Sequence, residues 1–262
     1  MKIDTHTHLY DEQFNDDRNA MIIRAIESGV TRMYLPNCDS STIDSMLQVE
    51  KDFPENCFAM MGLHPCYVKE NVADELATVR AWLDKRVFCA VGEIGLDYYW
   101  DKTFVDAQKK AFHTQIEWAL EFNIPIVIHT REAIKDTIEI VKEYTSKGLR
   151  GVFHCFSGSY ESAVQILDCG FYLGIGGVLT YKNAGLQEVI KKIDLKHLVL
   201  ETDAPYLTPV PYRGKRNESS YTNLVAQKLA ELKEISLVNV AEITTKNGLA
   251  LFGHNPLSSP AE

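Results

Sequence analysis

The chain has 262 residues, 45% of them hydrophobic, and a formal net charge of −9. That is ample apolar material for a core. The negative charge argues against a broad electrostatic grip on nucleic acid, yet it leaves room for a narrow site made positive by bound cations. The first residues lack the basic start and apolar run of a signal peptide, and no apolar stretch approaches the roughly 18 residues of a membrane-crossing helix. The expectation is a cytoplasmic monomer without membrane contact, its six cysteines reduced.

In chain order, apolar runs fall near 1–5, 32–36, 57–62, 87–91, 124–128, 150–153, 171–174 and 197–201. Between them lie stretches of helical spacing. The clearest is 104–122, where Phe104, Ala107, Ala111, Phe112, Ile116, Ala119 and Leu120 recur at intervals of three and four. The runs at 87–91 and 124–128 are almost wholly apolar, as strands covered on both faces are. Strands alternating with helices predict a single α/β domain, a (β/α)8 TIM barrel over 1–256 with a flexible tail at 257–262. The competing arrangement is an open doubly wound sheet.

Polar residues at the strand ends discriminate between the two. His6 and His8 follow the first run, and residues two apart in an extended segment point the same way. Glu93 follows the fourth run, His129 ends the fifth, His154 ends the sixth and Asp203 follows the eighth. In a closed parallel barrel all six meet at the C-terminal mouth; along an open edge they could not share an ion. Four imidazoles and two carboxylates exceed the protein ligands of one ion and suit two divalent metals about 3.5–4 Å apart, with Glu93 as the bridge. Each residue alone has a plainer use: a histidine hydrogen-bonded at a strand end, or a carboxylate capping the next helix. Their joint recurrence favours the metal. His64, after the third run, either touches substrate or pins its own loop, and Glu201 is placed to orient a histidine.

The motifs His6-x-His8, Gly-Glu93-x-Gly-Leu-Asp97, Pro-x-x-x-His129-x-Arg131, His154-x-Phe-Ser157-Gly and Glu201-Thr-Asp203-x-Pro205 resemble the TatD-type metal-dependent deoxyribonucleases. Arg213-Gly-Lys-Arg216-Asn217-Glu218 and Asn247-x-x-x-Leu-Phe252 extend the likeness over nearly the whole chain. The resemblance implies an amidohydrolase-superfamily barrel with cation-dependent nuclease activity, reported for members as 3′-end trimming or cleavage at damaged sites. Ser219 departs from the family, which usually has proline there.

A phosphodiester substrate also follows from the charges near the mouth. Arg131 lies two residues beyond His129, and Arg213, Lys215 and Arg216 crowd the loop after the eighth run. Guanidinium groups there would clamp phosphate oxygens, although a basic loop can simply be solvated. Tyr98, Tyr99 and Trp100 either stack bases or pack between loops. The expected enzyme is a hydrolase of DNA, acting on single strands or 3′ ends, with His64, Arg131 and Arg216 binding substrate. Two divalent ions (Mg²⁺, Zn²⁺ or Mn²⁺) held by His6, His8, Glu93, His129, His154 and Asp203 would activate water, with Asp203 as base. The alternative is hydrolysis of a small amide, lactone or nucleobase on the same barrel. A non-catalytic binding module fits poorly, because so many buried ligands are costly to order without ions.

Overall fold

The computed structural model describes residues 1–253, so the domain limit at 256 and the tail at 257–262 lie outside the described residues. Eight strands run parallel: β1 (Lys2–Asp4), β2 (Val30–Leu35), β3 (Cys57–Ala59), β4 (Val91–Asp97), β5 (Ile126–Arg131), β6 (Gly151–Phe153), β7 (Tyr172–Ile175) and β8 (Leu198–Leu200). β1 to β3 pair in sequence order, and so do β4 to β8. Two seams close the ring. Met61 pairs with Val91 between β3 and β4, its N–H donating to Ala90 O at 3.2 Å while the Gly92 N–H donates to Met61 O at 3.1 Å. At the other seam the Thr5 N–H donates to Leu200 O at 3.0 Å, joining β8 to β1. An open sheet would leave those two strands apart, so the architecture is the closed (β/α)8 barrel.

Inside, one layer draws a residue from each of six strands: Ile3, Tyr34, Phe58, Val127, Val152 and Val199, with Leu251 and Phe252 packed against them. Phe252 ends the last helix, α9 (Leu237–Phe252), and stacks on Tyr34 with ring centres 4.1 Å apart. Side-chain direction repeats every two residues along a strand, so His129, His154 and Glu201 emerge two positions beyond Val127, Val152 and Val199, on the same side. The apolar floor of the barrel and its polar mouth are thus one alternation read upward.

The fourth strand differs from its expectation. The apolar run at 87–91 is a loop entering the barrel, and the strand itself is Val91–Asp97, buried throughout. Glu93 therefore sits inside β4 and not after it. Gly92 and Gly95 flank it because the neighbouring strand leaves no room for a side chain. A Cβ on Gly95 would lie 2.0 Å from the His129 carbonyl oxygen, at a φ of +140° that side chains rarely adopt.

The helix expected over 104–122 forms as α4 (Val105–Glu121), burying Ala111, Phe112, Ile116 and Ala119. It also buries two glutamines that serve as surrogate backbone. Gln108 accepts the Asp97 N–H at 2.9 Å and donates to Asp97 O at 3.1 Å, fastening the top of β4. Gln115 makes the same pair of bonds to Leu63 in the loop after β3, at 2.7 and 3.2 Å. Among the described residues no helix is long and apolar enough to cross a membrane.

Candidate metal centre

The segments after β1 and β8 are zipped together. The Asp203 N–H donates to His6 O at 2.9 Å and the His8 N–H to Ala204 O at 2.7 Å. Below them, buried Asp4 accepts the Thr202 N–H at 2.9 Å and its hydroxyl at 2.6 Å. Burial, only partly offset by those bonds, raises the Asp4 carboxyl to about 7. Asp203 is held at a φ of +57°, a left-handed conformation that Asp and Asn tolerate better than most residues. On the opposite wall, buried Asn37 exchanges backbone bonds with β4: its N–H donates to Gly92 O at 3.1 Å, and the Glu93 N–H donates to Asn37 O at 3.2 Å.

Glu93 stands at the centre, 2% exposed, with its two oxygens facing different histidines. Oε2 lies 3.1 Å from His6 Nε2 and 3.7 Å from His8 Nε2. Oε1 lies 2.9 Å from His129 Nδ1, 2.9 Å from His154 Nε2 and 3.5 Å from His64 Nε2. Asp203 Oδ1 closes the first side, 3.6 Å from His6 Nε2 and 3.4 Å from His8 Nε2. Burial alone would raise the Glu93 pKa. The surrounding imidazoles, His154 and His6 foremost, outweigh it and hold the carboxyl well below the usual range, so the group is an anion.

Hydrogen bonds behind the rings determine which nitrogen is free. The Tyr10 hydroxyl donates to Pro36 O at 2.5 Å, so it accepts from His8 Nδ1–H at 2.9 Å and leaves Nε2 facing Asp203 and Glu93. Asp97 Oδ2 takes the Nε2–H of His129 at 2.9 Å, turning Nδ1 inward. Glu201 Oε1 lies 3.5 Å from His154 Nδ1, and the same carboxylate accepts the Cys155 N–H. Gly174 makes this possible, since a Cβ there would lie 2.1 Å from Glu201 Oε2. These are the carboxylate and hydroxyl partners that metal-ligating histidines usually carry. Glu201 stands beside His154, where the sequence suggested a carboxylate to orient a histidine. Asp97, Tyr10 and Asn37 were missed, although the even spacing from Glu93 to Asp97 places both on one face of a strand.

The residues present fit a divalent metal. His6 is fully buried, neither of its ring nitrogens finds a hydrogen bond, and its Nε2 is aimed between two carboxylates. Such an orphaned pair of polar atoms is costly unless a cation is the missing partner. Burial first, then the neighbouring His154, pushes its pKa down and keeps it in the neutral, ligating form. Three sets of ligand atoms converge within 4.8 Å: His6, His8 and Asp203; His6, Glu93 and His154; and His64, Glu93 and His129. His64 differs from the others. Its Nδ1 accepts the Cys66 N–H at 3.0 Å, so the neutral ring carries its proton on Nε2 and presents a donor to the centre.

Not every expected residue joins this cluster. Arg131 is exposed at the rim of the mouth, stacked on Tyr99. Arg216 turns to Asp17, just before α1 (Arg18–Glu27), with two bonds of 2.7 and 2.8 Å, and donates to Gln13 O at 2.7 Å. The guanidinium expected to clamp phosphate is here engaged in fastening the loop, through a partner 199 positions away that charge spacing could not reveal. Buried Ser219 places its hydroxyl 3.3 Å from Thr7 Oγ1.

The Arg216 pair makes a prediction. Hydrogen bonds from Arg216 first, opposed by burial and helped by Arg24, bring the Asp17 carboxyl down to about 2 from 3.8. Its folded pKa lies below the unfolded one, so the stabilisation is present above about pH 4 and lost as pH falls through about 2. Both groups are partly exposed, so screening limits the effect. Arg216→Ala should cost less than about 1 kcal/mol at pH 7, with the difference from the parent vanishing near pH 2 in urea melts.

The family model described as TatD related DNase matches residues 3–253. An uncharacterized metal-dependent hydrolase of Bacillus subtilis, YabD, is 41% identical over 256 residues, covering 97% of this chain and all of that protein. The 3′-5′ ssDNA/RNA exonuclease TatD of Pantoea ananatis is 31% identical over 256 residues, covering 95% and 98% of the two chains. Among solved structures, the Escherichia coli TatD homolog YJJV superposes with a TM-score of 0.89 at 28% identity, covering 96% of this chain and 97% of the other. At 14% identity and a TM-score of 0.71, the phosphotriesterase homology protein of Escherichia coli shares the fold alone. The converging histidines and carboxylates of the mouth and these full-length likenesses agree: the chain belongs to the TatD-related DNase family and is a metal-dependent hydrolase.

Proposed function

We propose that the protein is a nuclease that trims single-stranded DNA from its 3′ end with two divalent cations in the barrel mouth. The carrying observation is the division of Glu93, one oxygen toward His6 and His8, the other toward His129 and His154. His6, His8, Glu93 and Asp203 would hold one ion, and Glu93, His129 and His154 the other. Mg²⁺, Mn²⁺ and Zn²⁺ all suit this mixed nitrogen and oxygen donor set. Bound there, the pair would supply a nucleophilic water at neutral pH and offset charge on the phosphate.

The remaining chemistry belongs to side chains. Asp203 gives Oδ1 to the histidine pair and keeps Oδ2 as an acceptor for the proton of the attacking water. His64 Nε2–H donates to a phosphoryl oxygen as charge grows on it, and Arg131 binds the phosphate from the rim. A single strand and a 3′ end are adopted because the TatD relative is named for them.

Metal-stripped protein reloaded with Mg²⁺, Mn²⁺ or Zn²⁺ should shorten a 5′-labelled single-stranded oligonucleotide one nucleotide at a time, and chelation should stop it. Products that keep the 5′ label in a ladder establish 3′ trimming. Cuts at interior positions would overturn the exonuclease mode. No cleavage of any strand under any metal would overturn the nuclease and turn attention to small amide, lactone or nucleobase substrates.

A further inference from the structure

Two aromatic rings stand open beside the centre, Tyr99 at 49% and Trp100 at 68% exposure. They meet edge to face, with ring centres 4.9 Å apart and planes at 86°. The guanidinium carbon of Arg131 lies 3.7 Å from the Tyr99 ring centre and 5.2 Å from that of Trp100. Among the described residues its N–H groups meet no hydrogen-bond or ion-pair partner. Tyr98 is put to a different use, with its hydroxyl donating to Asp136 at 2.9 Å.

This arrangement is tied to the metal centre by one carboxylate. Asp97 Oδ1 accepts the N–H groups of Tyr99 and Trp100, at 2.9 and 3.1 Å, while Oδ2 orients His129. From the other strand, Arg131 lies directly across from Asp97 in the β4–β5 ladder, and its carbonyl accepts the Tyr98 N–H at 2.9 Å. Arg131 and His129 are two residues apart on β5, so their side chains leave the same face. The rings and the cation therefore keep a set position relative to Glu93 and His129.

We propose that Tyr99, Trp100 and Arg131 form a stacking site for one unpaired nucleobase next to the phosphodiester at the centre. The proposal rests on the nuclease reading and names what that site recognises. A base lays its π-face on one ring while the other, at 86° to it, borders its edge, and the Arg131 cation over Tyr99 keeps N–H groups available to the adjoining phosphate. Only a base outside a duplex can lie there, so single strands and frayed ends are taken and paired ends refused. The rings do not read base edges, so sequence preference is weak and purines stack best.

The test compares the parent with Trp100→Ala, Tyr99→Ala and Trp100→Phe, on a single-stranded oligonucleotide and on the same strand with abasic terminal residues. Each alanine change should raise KM about tenfold with kcat nearly unchanged, and Trp100→Phe should restore most of the loss. The abasic strand should show the same rise with the parent and little further rise with Trp100→Ala. A second readout needs no turnover: in metal-free protein, the base-bearing strand should quench Trp100 emission and the abasic strand should not. If the parent cuts both strands with equal KM, or the alanine variants keep the parental KM, the stacking site is wrong and the nuclease stands. If the parent cuts nothing but the base-bearing strand alone quenches, the stacking site stands and the nuclease reading falls. Neither cleavage nor quenching would sink both.

Discussion

Asp203→Asn should lower kcat on oligonucleotides by on the order of 10²-fold or more while leaving the barrel folded. Asn is the natural control because it keeps the side-chain size and tolerates the left-handed φ of +57° at this position. What it removes is the charge proposed to accept the proton. In the proposed arrangement His6, His8 and Glu93 would remain to hold an ion on that side, so metal content measured by elemental analysis should fall only in part. Rates must be compared at matched occupancy, or lost binding will be read as lost catalysis. Near-parental turnover by the fully loaded variant across pH 6–9 would mean that another group moves the proton.

Glu93→Gln should be more damaging still, because one carboxylate serves both halves of the site. Its oxygens lie 3.1 Å from His6 on one side and 2.9 Å from both His129 and His154 on the other. An amide keeps one weak acceptor and turns a donor toward rings that need a lone pair free for metal. Metal affinity should drop on both sides, and turnover should fall on the order of 10³-fold, the equivalent of about 4 kcal/mol of lost charge stabilisation. A melting temperature of the metal-free variant close to the parent would show that the loss is local. Retention of two ions with parental activity would remove Glu93 from the bridge.

His6, His8, Glu93, His129, His154 and Asp203 were legible as a group because each stands at or just past a strand, and barrel topology brings strand ends together whatever lies between them. Strand limits were less legible. A run such as 87–91 looks like a buried strand because apolarity reports burial and not conformation, and Glu93 was accordingly placed after β4 instead of within it. Roles that depend on a distant partner were not legible at all. Arg216 carries the charge of a phosphate clamp, yet Asp17 claims it. Tyr99 and Trp100 stand open to solvent while Tyr98 binds Asp136, a division that three adjacent aromatic residues do not announce.

By itself, the sequence determined the layered α/β alternation, the family, and which residue types face the mouth, because hydrophobic periodicity and short motifs are local properties of the chain. Only the tertiary structure decided that the ring closes between β8 and β1, which nitrogen of each histidine faces Glu93, and that His64 presents a proton while the ring nitrogens of His6 make no hydrogen bond. Those outcomes rest on hydrogen bonds between residues far apart in the chain, such as Thr5 to Leu200 and His129 to Asp97. Tautomer and metal fitness are set by what stands behind and in front of a ring, and folding alone supplies both.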